Sequence, residues 1–480
     1  MTSNASGSQP PPVPDLDVPS LPIAASSHRG QASSTHPGNR LRIAVIGGGA
    51  AGLTAAWLLD GCHAVTLFER GEQLGGHADT VHVQVDGEPM HVEAGFEFFS
   101  DVMFPSFNRL LRCLGVSVRK FPLSITVYRG DHSRLYRLPP VRDHHVLWSE
   151  LLPGKLSHLL QFRHVLERSR PIVEERDTTH TVAEFIGGVR LSRSFTDGFL
   201  YPLLMGGWGI EREELERLAA YNVFKYFLLQ RPSGLAPFFW NEVEGGTRTY
   251  VEAMIRELTQ TTITLGADIT RLARADGEWL VEDRGTVYQF DQVVVGTDAR
   301  SAGQLLAGVD EVDALSRELR AIRYAETRIA VHGDRRLMPR NPRDWSVLNV
   351  RFDAPRSAAT IWKAWTARHV FRSWVTHAPD LPTPLYALRT YQHVLPDPSY
   401  FRAQRSLAAL QGTSGLWLAG LYMHDVDNHE SAISSAVAIA RRLAPDSPNL
   451  RRLTLEEAEQ SEPAPVPAQG IGTVVTTATG

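Results

Sequence analysis

The chain has 480 residues, 43% of them apolar, with a formal net charge of −4. That length allows two or three domains' worth of core or one large interleaved body, and the apolar share is ordinary for a globular protein. The near-neutral balance excludes nucleic acid or an anionic membrane as the main electrostatic partner. Two cysteines without CxxC spacing, Cys62 and Cys113, exclude a disulfide scaffold and suit a reducing compartment.

Residues 1–39 are rich in Pro, Ser, Gly and Ala with no apolar period, and are expected to form a disordered tail. No basic segment precedes an apolar one, and no Lys or Arg occurs before Arg29. Neither a signal nor a transit peptide is therefore expected, and the cytoplasm is the default location.

Residues 41–76 organise the rest. A strand from Leu41 to Ile46 runs into the turn Gly47-Gly48-Gly49-Ala50-Ala51-Gly52, then a helix to Leu59 and a second strand, Ala64 to Phe68, ending on Glu69. This is the order of a βαβ dinucleotide-binding unit. Gly47 permits the tight turn, Gly49 leaves the backbone bare toward a pyrophosphate, and Gly52 lets helix and strand pack closely. Ala50 and Ala51 open the helix, whose free N–H groups attract phosphate. Glu69 lies about 22 residues past Gly47, near the ~20 at which an acid meets a ribose hydroxyl. A membrane span is the competing reading of residues 41–59, but four glycines interrupt the run and Asp60-Gly61 ends it without basic flanks.

The unit continues as Glu69-Arg70-Gly71-Glu72-Gln73-Leu74-Gly75-Gly76-His77. This run resembles the extension in flavoproteins of the amine oxidase and phytoene desaturase superfamily. The resemblance implies FAD rather than NAD, with Gly75-Gly76 passing under the pyrophosphate and flavin. It also places the segment Glu93-Ala94-Gly95-Phe96-Glu97 near the flavin ring. No cysteine lies in the C-terminal half, where some amine oxidases attach FAD, so non-covalent binding is expected.

Two alternating runs, Thr80–Val85 and Met90–Glu93 around Asp86-Gly87, read as a hairpin. A helix over 104–115 and a strand from Val116 follow. Residues 120–240 carry helical stretches and aromatic clusters at 201–209 and 236–240 but no nucleotide signature, which suits a substrate-binding insert. Glu244-Gly245-Gly246-Thr247, a helix, a β-meander and the strand ending Val293-Val294-Val295-Gly296 resemble the superfamily's second nucleotide segment, in which Ile269 would lend its backbone to adenine.

Residues 322–400 read as the rest of the insert. Gly415 to Gly420 forms a buried strand with a glycine exit, and a helix runs from Ser431 to Leu443. Asp427 and Glu430 have capping-box spacing. In the superfamily this strand–Gly–helix unit finishes the FAD site, which implicates Gly420, Asn428, His429, Ser431 and Ala432. Many relatives carry an acid after the strand glycine; Leu421 stands here, so that contact is expected to be absent or supplied by Glu430 or Asp425. His424, Asp425, Asp427, His429 and Glu430 have metal-ligand chemistry, but His424 and His429 are i,i+5 rather than i,i+4, and capping and flavin contact account for the acids, so no metal is expected. Residues 444–480 return to a Pro-, Ala- and Thr-rich composition and read as a second tail.

The expected fold is α/β. A Rossmann-type FAD-binding domain in three pieces, 40–119, 241–310 and 401–443, interleaves with an α+β substrate domain, 120–240 and 311–400. The expected function is hydride transfer from an apolar, lipid- or polyene-like, or amine substrate to FAD. A redox-neutral double-bond isomerase and a non-catalytic flavin- or NAD-binding accessory protein remain open. No catalytic dyad is visible. Tyr391, His393 and Lys363 are the candidates, and the strand at 327–331, where several amine oxidases carry a lysine, has none. The partner expected is a small apolar molecule, with no nucleic acid and no integral membrane span.

Overall fold

A computed structural model describes residues 40–142, 145–229 and 238–461. The expected tail at 1–39, the end of the chain beyond 461, His144 and the Ala236-Pro237 pair lie outside the described residues. Strand β1 (Arg42–Ile46), helix α1 (Ala50–Leu59) and strand β2 (Ala64–Phe68) form in the order the motif predicts. Three more strands join them: β3 (Thr262–Thr264), β4 (Gln292–Val295) and β5 (Leu416–Leu418). The sheet order is β3-β2-β1-β4-β5, and every pairing is parallel. Parallel strands need crossovers, and both faces must be covered. Accordingly β1 and β4 are almost entirely apolar, and in α1 every residue from Ala51 to Leu59 is buried.

The hairpin forms as expected, Thr80–Val85 against Glu88–Glu93. Helix α2 (Pro105–Cys113) follows. The insert then supplies α3 (Pro153–Glu174), α4 (Tyr201–Trp208) and α5 (Ala220–Leu229). Most of its aromatic residues are spent on a second core: Phe185, Phe195, Phe199, Tyr201 and Phe224 are buried together with Val165 and Leu204. A seven-stranded sheet stands against these helices. Its strands come from both halves of the insert, in the order 385–394, 324–332, 371–374, 356–362, 348–353, 125–129 and 134–138.

Two elements near the C-terminus depart from expectation. Helix α6 (His429–Leu443) is capped by Asn428, whose Oδ1 accepts from Ser431 N at 2.9 Å; Asp427 is not the cap. Glu430 reaches across to α2 instead, accepting from Ser106 N and Phe107 N, both at 2.9 Å. It therefore serves as the N-terminal acceptor of a helix more than 300 residues away in sequence. The second departure is α7 (Pro448–Ser461), inside the stretch read as a tail. Leu450 and Leu453 fall on one helical face and are buried in the nucleotide-side core. Ser447 Oγ and Asn449 Nδ2 donate to Leu58 O and Trp57 O at 2.5 and 2.8 Å, satisfying the last carbonyls of α1. The Pro- and Ala-rich composition of 444–480 as a whole masked this short apolar pair.

Replacing Glu430 by Ala leaves two buried helix N–H groups without acceptors. Urea denaturation should show a loss of about 3 kcal/mol, and Glu430→Gln, which keeps one acceptor oxygen, should lose clearly less.

Candidate flavin site

The turn after β1 is shaped by backbone proximity. Gly47 adopts φ +101°, a region that favours glycine. A Cβ on Gly52 would lie 1.9 Å from Gly47 O, so helix and turn touch with no room for a side chain. Gly49 precedes α1 in extended conformation and offers no side-chain cap, and no acid occupies the first turn. The N–H groups of Ala50, Ala51 and Gly52 thus point from a helix N-terminus that carries partial positive charge. Glu69 closes the other side, with its carboxylate accepting from Gly48 N at 2.6 Å and Gly71 N at 2.7 Å. Gly75 bonds back to Gly48 O at 2.9 Å, and Gly76 lies against Gly49, where an added Cβ would be 3.0 Å from Gly49 Cα. Arg70 is exposed beside the acid. Ala267 N donates to Glu69 O at 2.8 Å, so Ile269 begins its meander strand two residues from this turn.

A second group of residues gathers where the hairpin, α6 and the edge strand 385–394 meet. Phe96 N donates to His77 O at 2.6 Å, and a Cβ on Gly95 would lie 2.0 Å from that oxygen. The Phe96 ring stacks on His429 with centroids 4.1 Å apart and planes 3° from parallel. Tyr250 OH meets His429 Nε2 at 2.9 Å. His77 lies 4.7 Å from the Tyr391 ring and 6.0 Å from His393. Tyr391 donates to Asp79 at 2.7 Å, and Arg389 completes that carboxylate at 2.9 Å. Burial pushes His393 and His429 down to about 3, helped in both by the neighbouring His77. Burial lowers His77 as well, against the pull of Asp298 and Asp79. All three rings are neutral at pH 7. His77, Gly95, Phe96, Tyr391, His393 and His429 are therefore brought together from four separate stretches of sequence.

Gly420, Ser431 and Ala432 lie at the β5–α6 junction: Gly420 N donates to Ser435 Oγ at 2.9 Å, Ser431 Oγ donates to Val426 O at 2.7 Å, and Ala432 is buried. Of the alternatives at Leu421, an absent contact or one supplied by Glu430 or Asp425, both acids are engaged elsewhere. Glu430 is held by α2, and Asp425 is bound to Lys225 and accepts from Tyr221 OH at 2.5 Å. Asp427 accepts from Asn222 Nδ2 at 2.8 Å, and burial raises it to about 6 despite that bond and those from Trp208 and Tyr226.

Lys363 is engaged by two carboxylates instead. Its Nζ lies 2.8 Å from Glu97 and 2.6 Å from Glu242, with Arg372 bonding the other Glu97 oxygen at 3.3 Å. Burial works against the Lys363 charge, but Glu97 and Glu242 outweigh it and hold the ammonium above its ordinary value. Sequence reading had missed Arg372, whose Nη2 donates to Gly95 O at 2.6 Å. Nothing in the local run around Arg372 marks it; only the pairing of its strand with its neighbours in the seven-stranded sheet turns it toward Gly95.

The turn residues fit a flavin dinucleotide, with an uncapped helix N-terminus for phosphate and a bare glycine surface beside it. Comparison with known proteins agrees. The model of the flavin containing amine oxidoreductase family matches residues 50–330, more than half of the chain. An L-amino-acid oxidase of Pseudechis australis is 35% identical over 99 residues, which are 20% of this chain and only 17% of that protein. Cyclohexylamine oxidase from Brevibacterium oxydans IH-35A superposes with a TM-score of 0.59 at 13% identity, covering 84% of this chain and 100% of its own. The CLA-producing fatty acid isomerase of P. acnes gives 0.62 at 15%, covering 84% and 98%. These structures share the fold. With the glycine turn, the parallel sheet and the family match in agreement, the chain belongs to the flavin containing amine oxidoreductase family.

Proposed function

We propose that the protein is an oxidoreductase that binds FAD non-covalently and oxidises an uncharged, largely apolar small molecule. The observation that carries the FAD reading is the open N-terminus of α1 between Gly49, Gly76 and Glu69. In that arrangement the N–H groups of Ala50, Ala51 and Gly52 receive the pyrophosphate and Glu69 meets the adenosine ribose. The Phe96–His429 stack and the start of α6 lie toward the flavin ring. When bound, FAD supplies the hydride acceptor; the protein supplies orientation, dryness and electrostatics.

The apolar reading rests on carboxylates near the site that are already engaged; Asp298, which also acts on His77, accepts from Ser301 N at 3.0 Å and Ser301 Oγ at 2.5 Å. Asp79 is held by Arg389 and Tyr391, Glu97 by Lys363 and Arg372, and Asp425 by Lys225. Tyr391 and His393 stand as neutral groups able to orient a substrate, while Lys363 is a structural cation. Redox-neutral double-bond isomerisation on the same flavin is the second reading, favoured by the fold shared with a fatty acid isomerase.

Purified protein should show the two flavin absorbance bands, and acid precipitation should release the yellow colour to the supernatant. A Gly49→Val variant, which places a side chain on the bare surface, should lose at least tenfold in flavin content. Anaerobic addition of unsaturated lipids should bleach the blue band where polyamines do not; bleaching by amines alone would overturn the apolar reading. Colourless protein that cannot be reconstituted with FAD would overturn the whole proposal.

The neutral histidines also set a pH signature. In the unfolded chain each takes up a proton below its ordinary value of 6.5, while the folded chain holds His393 and His429 unprotonated down to about 3. Their contribution to stability is complete above 6.5 and is lost as pH falls. Asp427 acts in the opposite sense, because it keeps its proton up to about 6 when folded and loses it near 3.8 when unfolded. His393, His429 and Asp427 together give a net uptake of about one proton on unfolding near pH 5, and His77, also lowered, acts in the same sense as the other histidines. Urea denaturation across pH 4.5–7 should show stability falling toward acid. His393→Asn should reduce the slope by ~1.4 kcal/mol per pH unit.

A further inference from the structure

Helix α3 carries a line of apolar side chains on its outer side. Trp148, just ahead of the helix, is 77% exposed, and Leu152, Leu156 and Leu160 are 58%, 41% and 58% exposed. The spacing is four residues throughout, so the leucines follow one another down one face. The core does not need them. The inner face of the same helix is spent on Val165, Leu166 and Ser169, which are buried, and on His158, whose Nε2 meets Ser194 Oγ at 3.1 Å. Single exposed leucines are common, but a continuous row headed by tryptophan marks an interaction surface.

Beside the row Lys155 pairs with Glu150 and Arg163 pairs with Glu167 at 2.8 Å, so the basic surplus lies at the Trp148 end. From Leu151 to Leu166 there is no Asp or Glu, while Lys155, Arg163, His158 and His164 occur. At the Trp148 end Arg142 Nη1 donates to Arg343 O at 2.8 Å, bringing two arginines together, with Arg340 exposed close by in sequence. Among the described residues, two acids of that end are held by cations. Glu150 is bonded by Arg134 at 2.9 Å and Lys155 at 3.0 Å, and Asp344 by Arg134. The overall charge of −4 conceals this basic rim.

We propose that this face docks the protein on a bilayer with anionic headgroups. Trp148 and the three leucines enter the interfacial layer, and Arg142, Arg340 and Arg343 meet the phosphates. Tryptophan favours that boundary because its ring is apolar and its N–H polar, and a basic margin beside an apolar row is the pattern of interfacial helices. A second copy of the chain fits less well, since a twofold contact through this face would set like-charged arginines against one another. The proposal does not rest on the reaction assigned above.

The test floats the full-length protein, as purified, through a density gradient with vesicles of phosphatidylcholine alone or mixed with phosphatidylglycerol. Wild-type protein should float with the mixed vesicles at least tenfold more than with the neutral ones, and added salt should weaken the association. The double variant Trp148→Ser, Leu156→Ser changes only exposed side chains. It should keep its circular dichroism and thermal melting while its bound fraction falls at least tenfold. Arg142→Gln with Arg343→Gln should remove the preference for anionic vesicles. Wild-type protein that stays unbound on both vesicle types, or a serine variant that floats equally well, would overturn the proposal. A concentration-dependent dimer that disappears in the same serine variant would assign the face to a second copy and overturn it too.

Discussion

Helix α1 is in contact with protein on every side, and the contacts at its start are between backbones. A methyl group on Gly52 would collide with Gly47 O, and one on Gly296 would stand 2.9 Å from Gly52 Cα. The helix therefore sits directly on β1 and β4, and its composition, apolar apart from Thr54, follows, because no face is left for water. The residue at its N-cap, Gly49, brings no side chain to cap the first turn. The unsatisfied N–H groups there are the electrostatic reason that the site asks for a phosphate. Even the far end of α1 is closed by distant sequence, since Ser447 and Asn449 supply donors to its last carbonyls.

Because the parallel sheet takes its five strands from three separate stretches, each half of the insert is anchored to the nucleotide side at both of its ends. A short run before and into α6 carries much of that anchoring. Asp425 binds Lys225 and Tyr221, Asp427 binds Asn222, and Glu430 binds the first N–H groups of α2. Three carboxylates within six residues thus tie together α5, α6 and α2. They are costly groups to place inside a protein, and each is satisfied by a different mixture of cation, amide and backbone N–H. Asp427, with neutral partners only, is the one whose burial keeps a proton on the carboxyl to about pH 6.

The nucleotide unit was legible because its rules are local. Strand period, glycine spacing and the acid after β2 lie within 30 residues, and the structure places all of them as read. The hairpin at 80–93 was legible for the same reason. Capping was misread at Asp427 because Asn428, one residue later, competes for the same role, and Asx geometry decides between them only when the backbone is known. Helix α7 was missed because a compositional average over 37 residues outweighed one pair of leucines. The histidine cluster was half visible: Tyr391, His393, His77 and His429 were each named, but their convergence depends on sheet register, which no local pattern states. Arg372 was beyond reach for that reason, as was its pairing with Glu97.

Those two residues explain how the histidine cluster keeps its character. Glu97 is buried with Lys363 and Arg372, and Arg372 spends its other hydrogen bonds on the carbonyls of Ala94 and Gly95. It thereby fixes the Gly95–Phe96 turn that stacks on His429, and its guanidinium lies over the Trp374 ring at 4.7 Å. A buried ion network of this kind adds little net stability, because desolvation offsets most of the attraction. What it does supply is position and field. The positive end of Arg372 is one of the causes, after burial and His77, that keep His393 unprotonated. A neutral group of rings next to a firmly held backbone turn suits the uncharged substrate proposed above, and the Glu97 carboxylate beside that turn is already occupied in holding it in place.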